Sequence, residues 1–229
     1  MDNISNWYKK LPKDMIPTYH NPNYENHLLN IPFRALIVGG SGSGKSQLML
    51  EIIHRCRGTF QLIILCIKTA DEPLYNFLRS KVKPEMLHIY EDGKVPPLSD
   101  YKKLQDTQIL FIADDLVNDT KAQPLIQEWY LRGRKLSGGV SMCYLSQSYF
   151  KTPKFIRINC NYIMLKKLSS TRDLTLIMSD YNLGVDKKQL LNLYKYAVND
   201  NGTLFIDADA PPEKRFRRNF LEILNVEDF

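Results

Sequence analysis

Apolar residues gather along this chain in short, nearly unbroken runs, and between the runs they recur at helical spacing. Residues 33–38, 61–67, 109–113, 141–145, 162–165 and 203–206 are such runs and read as strands, the last closing the sheet they form; 87–90 reads as a shorter one. A strand covered on one face alternates apolar and polar positions, whereas one covered on both faces is apolar throughout. Between these runs, 45–56 places Leu48, Leu50, Ile52 and Ile53 at helical intervals, and 73–80 reads as a helix opened by Pro73. Further helices are predicted over 122–131, near 171–181 and near 187–196. Apolar strands alternating with helices predict an α/β fold with a mostly parallel central sheet and helices on both faces. Residues 1–32 differ: Trp7, Tyr8, Tyr19, Tyr24 and four prolines stand there with little periodicity, which predicts an irregular N-terminal arm ahead of one domain over 33–229.

Composition narrows the class. The chain has 229 residues and 31 Lys plus Arg against 25 Asp plus Glu, a formal net charge of +6. A chain of this length buries roughly 70–75% of its extended surface, enough for a core without disulfides. No apolar run approaches the ~18 residues of a membrane-spanning helix. The opening MDNISNWYKKLPKDM has neither an apolar core nor a small-residue cleavage site, so no secretory signal is expected. Cys56, Cys66, Cys143 and Cys160 show no C-x-x-C spacing, and none stands at zinc-ligand spacing from His20, His27, His54 or His88. Cys66 and Cys143 fall inside predicted strands and read as small buried core residues of a reducing compartment.

Two segments carry chemistry. Gly39-Gly40-Ser41-Gly42-Ser43-Gly44-Lys45-Ser46 fits G-x-x-x-x-G-K-[ST] at every fixed position, after a predicted strand and at the start of a predicted helix. In that context the backbone N–H groups of the loop, continuing to Gln47, can cradle a polyphosphate at the positive end of the helix. Lys45 would reach the β- and γ-phosphates of ATP and the Ser46 hydroxyl would hold Mg²⁺. The second segment, 109–113 followed by Asp114-Asp115, ends an apolar strand in two acids, a Walker B arrangement. Asp114 is the expected Mg²⁺ ligand and Asp115 the group that orients or deprotonates an attacking water. Gln147, ending the next predicted strand, is placed to sense the γ-phosphate or that water.

These pieces and their order, GGSGSGKS, ILFIADD and GRKLSGGVSMCYLSQS, resemble the viral DNA-packaging ATPases of the FtsK/HerA superfamily. The branch most similar is that of poxviruses, other large DNA viruses, virophages and Polinton-like elements, and the resemblance spans about residues 30–210. It implies a P-loop NTPase fold of the RecA-like/ASCE type, with 33–229 as the ATPase domain. It implies ATP hydrolysis with Mg²⁺ at the subunit junctions of a homo-oligomeric ring, pentameric or hexameric, that moves double-stranded DNA into a preformed capsid. The implied partners are that DNA and a capsid vertex or portal-like protein. The implied place is the virus factory of the host cytoplasm, with the virion as a second location. By the same resemblance Gln147 matches the sensor glutamine. Arg134 matches the arginine of a Gly-Arg-His motif, whose third position here is Lys135. Arg134 is then the first candidate for an arginine reaching a neighbour's nucleotide, and Arg132 the second.

The charge is unevenly placed. Residues 121–172 hold ten basic side chains and one acidic, Glu128. Lys151, Lys154 and Arg157 would share one face of a helix opened by Pro153, and Lys214, Arg215, Arg217 and Arg218 form a second cluster. Such faces can neutralise phosphates without reading sequence. The competing readings are a P-loop small-molecule or nucleoside kinase, a GTPase-type switch, for which no N-K-x-D segment is found, and a ring-forming DNA-binding scaffold with a degenerate site.

Overall fold

The computed structural model describes residues 5–69, 71–136 and 138–229. Its strands are β1 (Arg34–Val38), β2 (Leu62–Ile67), β3 (Leu87–Tyr90), β4 (Ile109–Asp114), β5 (Val140–Ser146), β6 (Tyr162–Leu165), β7 (Leu204–Asp207), β8 (Phe216–Arg218) and β9 (Glu222–Ile223). Its α-helices are α1 (Lys45–Arg55), α2 (Pro73–Lys81), α3 (Ala122–Arg132), α4 (Lys154–Arg157), α5 (Arg172–Asp180) and α6 (Lys187–Ala197). Ahead of β1, residues 5–33 carry short 3-10 turns. The strands form one sheet in the order β3-β2-β4-β5-β1-β6-β7-β8-β9. Neighbours from β3 to β6 run parallel and those from β6 to β9 antiparallel.

Both faces of the sheet's centre are buried, which is why β2, β4, β5 and β6 are almost wholly apolar. Leu36 and Val38 pack with Ile126 and Trp129 of α3, Ile177 of α5 and Leu193 of α6. Ala35 and Ile37, pointing the other way, pack with Met49 and Ile52 of α1 and with Tyr75 and Leu78 of α2. The cysteines are free and buried, and burial pushes the Cys56 thiol up to about 12. No helix among the described residues is long and apolar enough to cross a membrane.

Strand register sets the position of the acids and the glycine loop. Ile67 pairs with Asp114, Asp114 with Leu145, and Val38 with Ser146. Gly39 N–H then donates to Ser146 O at 3.1 Å. The carboxyl ends of β2, β4, β5 and β1 therefore come level, the edge of a parallel sheet where α/β proteins bind ligands. Because β5 lies between β1 and β4, Gln147 stands between the glycine loop and Asp114-Asp115.

Three expectations change. The run at 203–206 does not close the sheet: two further antiparallel strands follow β7. The cluster at 214–218 is not an open basic face, since 216–218 form β8 and Arg215 and Arg217 turn into the structure. Arg217 is 2% exposed and its Nη1 donates to Phe220 O at 2.9 Å, while Arg215 Nη1 donates to Leu183 O at 2.7 Å. Nor does Arg157 share an outer face with Lys151 and Lys154. Lys151 precedes the four-residue α4, and Arg157 points inward, its Nη1 2.6 Å from Asp180 Oδ2. A buried cation paired with a carboxylate has no charge to offer a phosphate.

Candidate active site

The glycine loop is shaped by what surrounds it. A Cβ at Gly39 would lie 2.4 Å from Ser43 Oγ and 2.7 Å from Lys166 Cβ, so only glycine fits there. Gly44, with φ at +90°, turns the chain from loop into α1, a conformation that costs a side-chain-bearing residue dearly. Gly40 N–H donates to Lys167 O at 2.9 Å, tying the loop to the segment after β6. Ser41 and Gly42 are exposed at the tip, and Gln47 is exposed on the first turn of α1. Lys45 Nζ donates to Gly39 O at 2.9 Å and Gly40 O at 3.0 Å, folded over its own loop. Ser43 Oγ is buried with no hydrogen-bond partner among the described residues. An orphan hydroxyl in the glycine loop, set against Gly39, fits a phosphate oxygen.

The acids face this loop from β4. Ser46 Oγ donates to Glu72 Oε2 at 3.4 Å, and the Tyr75 hydroxyl donates to Asp114 Oδ2. Glu72 and Tyr75 belong to the turn after β2 and to α2, and no motif pointed to them. Their only signal in the sequence was position, at the end of the strand that pairs with β4. Burial lowers the Lys45 amine, with Asp114, Asp115 and Glu72 opposing that shift. The hydroxyl of Ser46, the carboxylate of Asp114 and the neighbouring Glu72 and Asp115 are hard oxygen donors of the kind Mg²⁺ takes. A cavity of about 330 Å³ lined by Lys68, Asp71, Glu72, Tyr75, Asp114 and Asp115 adjoins them.

Asp115 stands with φ at +55°, in the left-handed region, which a non-glycine residue occupies at a cost. That turn exposes its carboxylate, and Gln147 Nε2 donates to Asp115 Oδ1 at 3.2 Å. The structure thus brings together Lys45, Ser46, Asp114, Asp115 and Gln147. It does not bring Arg134 to them. Arg134 is exposed in the turn Gly133–Lys135, at the amino end of β5, and Gln147 follows the carboxyl end. The seven residues of β5 span roughly 20 Å at about 3.3 Å each. Arg132, the second candidate, has its Nη1 3.3 Å from Glu128 Oε1. Lys166, counted in the sequence as part of the basic segment, is buried beside Gly39 and Gly44, and its Nζ donates to Gly202 O at 3.1 Å.

Burial is the largest influence on Asp114 and raises its carboxyl from 3.8 to about 6, with the Tyr75 hydroxyl opposing. Between those values the folded chain keeps a proton that the unfolded chain has released. The contribution of this group to stability therefore falls as pH rises through that window. Above it the ionised carboxylate carries a standing cost on the order of 3 kcal/mol. Asp114→Asn is expected to raise the melting temperature of the ligand-free protein at pH 7 by roughly 5–10 °C, and to change it little near pH 4. An unchanged or lowered melting temperature at pH 7 would contradict the burial cost.

The sequence-family model described as the poxvirus A32 protein matches residues 22–206. The chain belongs to the poxvirus A32 protein family. The resemblance to the viral DNA-packaging ATPases read from the motifs holds at that level. Among solved structures, this family member is similar to the genome-packaging NTPase B204 of Sulfolobus turreted icosahedral virus 2 in complex with ATP-gammaS. The TM-score is 0.58 at 15% identity, covering 83% of this chain and 98% of that one. B204 of Sulfolobus turreted icosahedral virus, a DNA-packaging ATPase, gives 0.57 at 12% identity, with 83% and 98% covered. ATPases 2 and 3 of EssC from Geobacillus thermodenitrificans give 0.53 at 12% identity, covering 86% of this chain and 42% of that one. No curated protein sequence matches significantly. The fold is therefore the α/β fold of P-loop NTPases.

Proposed function

We propose that the chain hydrolyses ATP to drive double-stranded viral DNA into a preformed capsid, as one subunit of a homo-oligomeric ring in the host cytoplasm. The observation that carries this reading is the 3.2 Å contact between Gln147 and Asp115, at the strand ends beside Lys45 and Ser46. Lys45 leaves the carbonyls of Gly39 and Gly40 to neutralise the β- and γ-phosphates. Asp115 takes the proton of the attacking water, and Gln147, already bonded to Asp115, orients that water and registers the γ-phosphate. Mg²⁺, when bound, neutralises developing charge on the phosphates; the Ser46 hydroxyl and the Asp114 carboxylate would hold it. Arg134, too far from its own loop, completes the site of the next subunit. On this reading 33–229 is the ATPase domain and 1–32 an arm, and the ring docks on a capsid vertex or portal-like protein.

Steady-state hydrolysis with and without duplex DNA tests the proposal. A motor is stimulated by duplex, whereas a P-loop kinase instead passes phosphate to an added small acceptor; the latter outcome replaces the proposal. Asp115→Asn is expected to keep ATP binding and lose about 10²–10⁴ in turnover, the usual contribution of a positioned base. Turnover close to wild type in that variant would remove Asp115 from the role.

A further inference from the structure

The segment that follows Gln147 does not trail off as a loop. Ser146 Oγ donates to Ser148 O at 2.9 Å, and Thr152 Oγ1 donates to the same carbonyl at 2.9 Å. A buried carboxylate then gathers the segment from outside. Asp173, 4% exposed on the first turn of α5, accepts from Ser148 Oγ at 3.2 Å, Tyr149 N–H at 3.1 Å and Phe150 N–H at 2.9 Å. Both carboxylate oxygens are occupied, and the three donors follow Gln147 directly in sequence.

The clamp has an outer face. Phe150 is 49% exposed, and the Arg172 guanidinium lies 4.0 Å over its ring. Lys151, Lys154 and Arg172 are exposed, and none is ion-paired with a carboxylate among the described residues. This is the reverse of Arg157, which the same stretch of chain turns inward. The patch also meets the site by a second route. Gly40 N–H is bonded to Lys167 O, and the chain runs from there through Ser169 and Ser170 to Arg172. The nucleotide site thus reaches one patch from two sides, through the sensor glutamine and through the phosphate loop.

We propose that Phe150, Lys151, Lys154 and Arg172 form the surface that meets the phosphate backbone of duplex DNA, and that Asp173 is a positioning residue that ties this surface to Gln147. The inference rests on the reading of the chain as a DNA-translocating ATPase. Three exposed cations with no carboxylate partner among the described residues, one of them over an aromatic ring, neutralise phosphates without reading bases, as translocation along any sequence requires. A shift of Gln147 on gain or loss of the γ-phosphate moves Ser148, Tyr149 and Phe150 as one unit, because a single carboxylate holds all three.

Anisotropy of a labelled duplex, with and without a non-hydrolysable ATP analogue, tests both parts. Replacing Lys151, Lys154 and Arg172 together by alanine is expected to weaken binding more than about tenfold and to lower the salt slope by about 2 to 3, near 0.9 per phosphate contact. Wild-type affinity is expected to change when the analogue binds. Asp173→Asn, which sets an amide NH₂ against backbone donors, and Gln147→Ala are each expected to abolish that change, and the double variant to lose no more than either alone. A merely structural role of Asp173 does not predict this non-additivity. Should Asp173→Asn melt early, Ser148→Ala removes only one of the clamp's bonds and is expected to reduce the nucleotide response in the same direction. Patch variants that bind duplex like wild type overturn the surface. An analogue response that is absent in wild type, or intact in Asp173→Asn, overturns the coupling. Wild-type protein that hydrolyses ATP but binds no duplex overturns the motor reading itself, and the surface with it.

Discussion

Replacement of Lys45 by alanine is expected to lower ATP turnover by about 10²–10³, the loss that follows removal of one preorganised donor from a transition state. The structure gives the reason in its resting geometry. The amine is held by the carbonyls of Gly39 and Gly40, within the field of Asp114, Asp115 and Glu72, so it is close to the phosphates' place before they arrive. The loop's own shape depends on Gly39 and Gly44 rather than on the lysine, so the variant should fold and melt near the wild-type temperature. Measured kcat together with binding of a fluorescent ATP analogue checks this. Turnover within a few-fold of wild type would mean that the loop does not serve hydrolysis.

Arg134→Ala is expected to cost more, about 10³–10⁵ in turnover, the usual worth of an arginine finger. The argument is one of distance: the whole length of β5 separates Arg134 from Gln147, so the guanidinium cannot serve its own phosphate loop. Mixing decides whether it serves another. Arg134→Ala protein and Lys45→Ala protein, each inactive alone, should regain activity when combined, because some junctions then pair an intact loop with an intact arginine. A mixture as inactive as its components excludes action in trans, and Arg132 would be tested next in the same way.

The strands of the parallel half of the sheet were legible in the sequence because both of their faces are buried, so that 61–67 or 162–165 reads as a strand from hydrophobicity alone. Strand β8 was not. Its sequence, Phe-Arg-Arg, reads as a basic cluster, and the inward Arg217 is tolerable because of the Phe220 carbonyl, the Phe205 ring and the charge of Asp207, which no local pattern shows. Arg157 misled for the same reason, since its partner Asp180 is 23 positions away. The glycine loop and the paired acids stood out by spacing. Glu72 and Tyr75 did not, since they reach the site through the pairing of β2 with β4, a long-range event no local pattern records. The contact of Gln147 with Asp115 lies between. Strand ends are readable, but that β5 inserts between β1 and β4 is decided by the sheet as a whole.

The separation of Arg134 from the phosphate loop also gives each copy a direction. If the arginine of one copy completes the loop of a second, and the second copy's arginine completes the loop of a third, contacts are head-to-tail. Such contacts form a closed circle only when the turn between copies divides a full rotation; otherwise they continue as an open helix. The strands then run around the circle rather than along its axis.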